Sequence, residues 1–88
     1  MLRTIEYAYM MITGAQIRAG RGLLGWTQDL LAYKAGVSVL TVKKIEREKT
    51  DPRTSTLGKI ETAFQQAGVI FLDAGVNREG GPGVRLDA

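Results

Sequence analysis

The chain has 88 residues, which is enough for one small domain, and it contains no cysteine and no histidine. Disulfide bonds, thiolate nucleophiles, imidazole bases and the usual zinc ligand sets are therefore excluded, and we predict neither an enzyme nor a cofactor or metal site. Its 12 lysine and arginine residues against 9 acidic residues give a net charge of +3, which permits an anionic partner without requiring one.

No segment of the sequence is typical of a membrane protein. The longest uninterrupted apolar stretch runs from Ala8 to Ile12, which is too short for a membrane span or the core of a signal peptide. The lack of cysteine agrees with a reducing compartment. We therefore predict a cytoplasmic protein without a membrane partner.

Residues 1–12 are expected to form a flexible leader. The alternation of apolar side chains around Glu6 also gives a weak strand signal. Translation from Met1, Met10 or Met11 is left open.

The pattern becomes helical at Thr13, which is a plausible N-cap. Spacings of three and four place apolar or small residues on one face of this first helix: Ile17, Gly20 and Leu24. Gly20 costs roughly 1 kcal/mol relative to alanine in a helix, which close packing of another helix would offset. Gly25 is expected to end the helix.

Two short helices joined by a glycine-containing turn follow. Thr27 is expected to cap the first, over residues 28–35, and Gly36 to stop it. Ser38 is expected to cap the second. The inward residues of the pair are predicted to be Leu31, Ala32, Ala35, Val42 and Ile45. Because the link is so short, the two helices have to cross steeply.

A polar loop over residues 47–53 leads to a fourth helix, capped by Thr54 or Ser55 and ended by Gly68. The inward face of this helix is predicted to contain Leu57, Ile60, Phe64 and Ala67. Residues 69–88 are expected to form a β-type tail, with short strands around 69–72 and 84–86 and a long connection between them.

The capping residues, the glycine and the buried positions together resemble the helix-turn-helix of the Cro/repressor (XRE) family. The positions that carry the resemblance are Trp26, Thr27, Gln28, Leu31, Ala32, Gly36, Val37, Ser38, Thr41, Val42, Ile45, Glu46 and Pro52. It covers about residues 13–68 and implies a mainly α, compact four-helix lambda-repressor-like domain, here followed by a short C-terminal β-hairpin or strand tail. It also implies a sequence-specific DNA-binding transcriptional regulator, typically a dimeric repressor or autoregulator.

The second helix of such a pair enters the major groove. If Val42 and Ile45 face the core, helical geometry leaves five residues on or near the outward surface: Val39, Leu40, Lys43, Lys44 and Arg47. The resemblance assigns base reading to Gln28, Ser38, Val39, Leu40 and Lys44. The expected phosphate contacts are Thr27, Lys43, Arg47, Lys49 and Arg53. For Lys49 and for Arg53, it is an equal alternative that the side chain is an ordinary solvent-exposed charge and contacts no phosphate.

Val39 and Leu40 are apolar at positions where relatives often carry polar side chains. An apolar side chain can contact a thymine methyl group but cannot read a base by hydrogen bonds. We expect a thymine-containing step beneath these two residues, with Lys44 contacting guanine O6 and N7. The alternative is that Val39 or Leu40 packs against a neighbouring loop.

The resemblance also implies an ion pair between Arg21 and Glu46 that ties the first helix to the DNA-reading helix. Alternatively, Arg21 reaches a phosphate. Residues 13–68 contain nine basic and five acidic residues, so the positive charge lies within the helical region.

The tail is the candidate dimerisation element because an isolated two-stranded hairpin is marginally stable and exposes its edges. The candidate interface residues are Val69, Ile70, Phe71, Leu72, Val84 and Leu86. The alternative is an intramolecular hairpin lying across the first and fourth helices.

Two further functions remain open. The chain is compatible with an antitoxin-type DNA-binding protein that pairs with another protein. Its activity is also compatible with control by a protein regulator. Apolar Val39 and Leu40 also favour a protein-interaction adaptor that keeps the fold but does not bind DNA.

Overall fold

The computed structural model describes residues 12–75 and 79–87. Four helices precede an antiparallel pair of strands: α1 Gly14–Leu24, α2 Gln28–Ala35, α3 Val39–Glu46, α4 Thr54–Gln66, β1 Val69–Leu72 and β2 Gly83–Leu86. This confirms the predicted mainly α fold with a C-terminal hairpin. No helix in the described ranges is both long and apolar enough to span a bilayer.

Local capping chemistry sets the start of the first three helices. The Thr13 hydroxyl accepts a hydrogen bond from the Gln16 backbone N–H (3.1 Å), and the Gln16 side chain accepts one from the Thr13 N–H (2.9 Å). Thr27 and Ser38 cap α2 and α3 through the N–H groups three residues further on. All three predicted N-caps are confirmed, because each satisfies an N–H group that has no partner within its helix.

The predicted cap of α4 is wrong. Arg53 occupies the N-cap position without a side-chain cap hydrogen bond, and both Thr54 and Ser55 lie inside the first turn. The reason is that Arg53 has extended backbone angles while its carbonyl already accepts the first helical hydrogen bond, from the Leu57 N–H. Thr54 is thus helical, whereas an N-cap residue needs a non-helical backbone.

The core forms around Phe64, which is fully buried. Its ring stacks on Trp26 at 5.6 Å between centroids and meets Phe71 edge-on at 5.5 Å. A Cβ atom at Gly20 would lie 3.0 Å from the Phe64 ring, so the glycine permits α4 to approach α1 closely. The predicted packing against Gly20 is confirmed. The other fully buried large side chains are Ile17, Leu31, Ile60, Val42 and Val69.

Ile12 also belongs to this core and is 5% exposed, although the sequence places it at the end of a flexible leader. Residues 1–11, including the alternative starts Met10 and Met11, lie outside the described residues.

The hairpin pairs within the chain, with Val69 opposite Leu86 and Phe71 opposite Val84. β2 packs on α1 and β1 on α4, which is the intramolecular arrangement that the sequence left as an alternative. Val69 was expected at a dimer interface but is 1% exposed in the core of its own chain, and Phe71 and Val84 pack against the same core.

Gln16 fastens the loop end of the hairpin to α1. Its side-chain amide is buried and donates hydrogen bonds to the carbonyl oxygens of Leu72 (3.2 Å) and Gly83 (3.0 Å). These two residues face each other across the strands. Because Gln16 also completes the α1 capping box, one side chain joins the helix start to the hairpin.

Two α1 glycines are expected to respond oppositely to alanine. A Cβ at Gly14 would overlap the backbone carbonyl oxygen of Ile45, so Gly14→Ala should lower the free energy of unfolding by about 1–3 kcal/mol. Gly22 has no neighbour within 4 Å of an added Cβ, so Gly22→Ala should raise it by about 0.5–1 kcal/mol. Urea unfolding followed by circular dichroism measures both, and equal effects would contradict the close contact of α1 with the end of α3.

Glu61 on α4 is expected to destabilise the protein at neutral pH. Burial raises the pKa of its carboxyl, and the nearby Asp73 carboxylate raises the pKa further. Because the folded-state pKa lies above the unfolded value, ionisation opposes folding, and this penalty grows as the pH rises through the two values. Glu61→Gln should therefore stabilise by about 0.5 kcal/mol near pH 7, a small gain because solvent screens a partly buried charge.

The measurement for Glu61→Gln is thermal unfolding at pH 7 and at a pH below the ordinary carboxyl range. The gain should shrink at the lower pH, where Glu61 is protonated in both states. A gain that stays constant with pH would show that ionisation is not its cause.

Candidate nucleic-acid interface

Helix α3 separates a buried face from a charged face. Val42, Ile45 and Glu46 are buried, and α3 packs against α2 and α1. The predicted inward positions Val42 and Ile45 are thereby confirmed. Lys43, Lys44 and Arg47 are exposed on the opposite side, together with Leu40, which is 56% exposed. The outer face thus combines three positive charges with one aliphatic side chain.

Val39 differs from this description, because it is half-buried and packs against the core. Residues three apart on a helix share a face, so Val39 follows Val42 inward. The expectation of an outward Val39 is therefore only partly met, and Leu40 provides the exposed apolar surface at the start of α3.

The N-terminus of α3 is fixed by Ser38. Its hydroxyl accepts from the Thr41 N–H (3.1 Å) and lies 2.8 Å from the Thr41 hydroxyl. Ser38 is nevertheless exposed, as is Thr27 at the start of α2. Both capping residues therefore lie on the surface at helix N-termini, where the partial positive charge of the backbone N–H groups favours anions.

The buried carboxylate of Glu46 on α3 is hydrogen-bonded to side chains of α1 and α2. Glu46 is 3% exposed and receives two hydrogen bonds from the Arg21 guanidinium, Nε to Oε2 at 2.7 Å and Nη2 to Oε1 at 2.8 Å. A third comes from the Gln28 side-chain amide, at 3.1 Å to Oε1. The predicted ion pair between Arg21 and Glu46 is present, and Arg21 also donates to the Trp26 carbonyl oxygen at 3.0 Å.

Hydrogen bonding to Glu46 raises the pKa of the Arg21 guanidinium, although burial acts in the opposite direction. The attraction to the carboxylate adds to the increase. Arg21 thus stays charged, and its guanidinium is directed toward Glu46 and the Trp26 carbonyl oxygen.

Gln28 lies at the start of α2, close to the buried ion pair. It is half-buried, and its amide nitrogen is engaged with Glu46. In this arrangement Gln28 contacts the ion pair that orients α3.

An open cleft of about 470 Å³ lies beside the C-terminal end of α3. It brings together the predicted phosphate contacts Lys43, Arg47 and Lys49. The other lining residues are Arg18, Gln28, Glu46 and Glu48. Arg53, by contrast, is exposed at the start of α4 and does not line this cleft.

Sequence reasoning did not assign Arg18 to the site. Its guanidinium donates to the Glu46 backbone carbonyl oxygen, and so satisfies a carbonyl at the end of α3. The available signal was its spacing of three from Arg21, which places both arginines on neighbouring surface of α1. What the sequence did not reveal is that this surface meets the end of α3.

The two partners of the buried ion pair are expected to differ in importance. Arg21→Ala leaves the 3%-exposed Glu46 carboxylate with only the Gln28 amide and should cost about 3 kcal/mol of unfolding free energy. Glu46→Ala leaves Arg21, whose side chain is 21% exposed, and should cost about 1–2 kcal/mol because the guanidinium can reach water.

Chemical denaturation measures this difference, with Arg47→Ala as the exposed control that should stay within about 0.5 kcal/mol of wild type. A larger loss for Glu46→Ala than for Arg21→Ala would contradict the assignment of Glu46 as the more deeply desolvated partner.

A family model described as helix-turn-helix matches residues 17–67, which include all of α2, α3 and α4. No curated protein shows significant similarity to the chain. The family match covers more than half of the sequence and includes both helices that the buried Glu46 joins to α1. The chain therefore belongs to the helix-turn-helix family of the Cro/repressor (XRE) type and is a DNA-binding protein of that family.

Proposed function

We propose that the protein is a cytoplasmic, sequence-specific transcriptional regulator that binds DNA as a dimer and acts as a repressor or autoregulator. The observation that carries this proposal is the outer face of α3. The bond network of Glu46 fixes α3 so that Leu40, Lys43 and Lys44 face solvent. The B-form major groove is wide enough to admit one such helix.

Base reading is assigned to the outer face of α3 and to residues next to it. Leu40 suits a thymine methyl group, and the Lys44 ammonium suits guanine O6 and N7. Ser38, Val39 and Gln28 complete the proposed base-reading set. Within it, Leu40 and Lys44 carry most of the specificity, because Val39 and Gln28 are half-buried.

Phosphate binding is assigned to the residues that surround α3. Lys43, Arg47 and Lys49 share one cleft, which supports a common phosphate-contacting surface. Thr27 and Arg53 lie at the starts of α2 and α4, where backbone N–H groups also favour anions. Such contacts position the domain on the duplex without reading sequence.

Dimerisation is assigned to the apolar side chains that the hairpin leaves partly exposed. Side chains alternate along a strand, so Ile70 and Leu72 lie opposite to Val69 and Phe71, which pack inward. Leu86 lies opposite Val69 and therefore on the inner side of the sheet, but at the end of β2 it is still 41% exposed. A second copy of the hairpin would cover these apolar groups and place two domains on half-sites one helical turn apart.

An adaptor or antitoxin-type role is the second candidate. It is favoured by two apolar side chains near the helix-turn-helix, Tyr33 (83% exposed) and Leu40 (56% exposed), which a protein partner would cover. In either role a protein regulator is a possible source of control.

Selection of bound duplexes from a random pool tests DNA reading directly, followed by binding measurements on the selected sequence. Lys44→Ala should weaken binding by about 1–3 kcal/mol and relax the preference at one base pair, because a direct contact to guanine is lost. Lys59→Ala removes the same charge from an exposed position on α4, which packs on α2 and β1. This control should change the affinity by less than about twofold.

A pool that enriches no sequence, together with an affinity that does not depend on salt, would favour the adaptor. If Lys44→Ala and Lys59→Ala weaken binding equally at every operator variant, Lys44 does not read a base.

Sedimentation equilibrium tests the dimer. Leu86→Asp should raise the dimer dissociation constant by at least about tenfold, since a charge would be buried at the interface. Leu23→Asp is the matched control, because Leu23 is 42% exposed on α1 while Leu86 is 41% exposed on β2. An equal effect of the two substitutions, or a monomeric wild type, would contradict dimerisation through the hairpin.

A further inference from the structure

Glu48 is the one non-glycine residue with positive φ in residues 12–75 and 79–87, with φ at 57°. This left-handed conformation disfavours a residue with a Cβ atom. Glu48 lies two residues beyond α3, and its side chain is 53% exposed. The backbone thus holds a carboxylate in an unfavourable conformation on the surface that we assign to DNA.

The Glu48 carboxylate faces Arg18. Its Oε2 lies 3.9 Å from Arg18 Nη2, and the Arg18 side chain is 48% exposed. The same guanidinium donates through Nη1 to the Glu46 carbonyl oxygen, which fixes it at the end of α3. An exposed ion pair at this distance adds little stability, so the contact does not offset the strained backbone.

Both residues line the basic cleft with Lys43, Arg47 and Lys49. Of the two carboxylates there, Glu46 is neutralised by Arg21, whereas the exposed Glu48 has Arg18 as its cationic partner. A carboxylate and a phosphate oxygen offer an arginine the same kind of charged acceptor. Glu48 therefore offers Arg18 the kind of acceptor that a DNA phosphate would also provide.

We propose that Arg18 is a phosphate-binding residue and that Glu48 is its internal competitor, which lowers the affinity of the protein for DNA. In the free protein Glu48 neutralises Arg18. On binding, a backbone phosphate displaces the exposed carboxylate and pairs with Arg18 beside Lys43, Arg47 and Lys49. This inference rests on the proposed DNA-binding function and adds an affinity-setting pair to it.

The test compares the affinities of wild type and Glu48→Gln for a fluorescent mixed-sequence DNA duplex of about 25 base pairs. A duplex of this length accommodates two half-sites one turn apart. Glu48→Gln keeps the size of the side chain but removes the charge. It should raise the affinity roughly three- to tenfold near 0.1 M salt, the effect of one charged contact. The slope of log affinity against log salt should stay close to the wild-type slope, because Arg18 pairs with the same phosphate in both proteins.

Two comparisons separate competition at Arg18 from a general charge effect. Asp51→Asn removes a negative charge from the same loop, and Asp51 makes no ion pair within the part of the chain that the structure describes. It should change the affinity less than about twofold. In an Arg18→Gln background, the gain from Glu48→Gln should disappear. If the Arg18→Gln variant does not fold, the difference in affinity gain between Glu48→Gln and Asp51→Asn still tests the proposal.

Equal gains from Glu48→Gln and Asp51→Asn, or a gain that persists without Arg18, would overturn the proposal. A wild type that binds the duplex while Glu48→Gln leaves the affinity unchanged would overturn this inference alone. A wild type that binds no duplex would overturn the proposed function and this inference together.

Discussion

The buried carboxylate of Glu46 is the constraint on which the arrangement of the helices depends. A charged group with 3% exposure is tolerated only when nearby donors replace the water that it loses. Here the donors are Arg21 on α1 and Gln28 on α2. Because the acceptor belongs to α3, the network can form fully in only one relative placement of the three helices. That placement leaves the positive side chains of α3 in solvent.

Aromatic packing around Phe64 supports this arrangement from the other side of the domain. Trp26, next to the start of α2, and Phe71 of β1 both contact the Phe64 ring, and Gly20 allows the ring to approach α1. The hairpin is therefore part of the core as well as a candidate interface. Gln16 strengthens this connection by joining the start of α1 to both strands. The rigid scaffold explains how so short a helix as α3 keeps a defined orientation.

Much of the fold could be predicted because its signals are local. A capping hydroxyl such as Thr13 acts on an N–H group three residues away, and a glycine such as Gly36 ends a helix through its own positive φ (72°). The misplaced cap of α4 marks the limit of that logic. Thr54 has suitable chemistry, but the helix begins one residue earlier because the Arg53 carbonyl already accepts from Leu57.

The sequence by itself determined the four helices, the hairpin, the buried faces and the family resemblance, since spacing and capping act within a few residues. Only the tertiary structure decided the roles of Val39, Gln28 and Arg18. Val39 turns partly inward with Val42, Gln28 gives its amide to Glu46, and Arg18 reaches the end of α3. These contacts join residues separated by up to 28 positions, as Arg18 and Glu46 are. Such distances are closed by packing between helices, which no local pattern encodes.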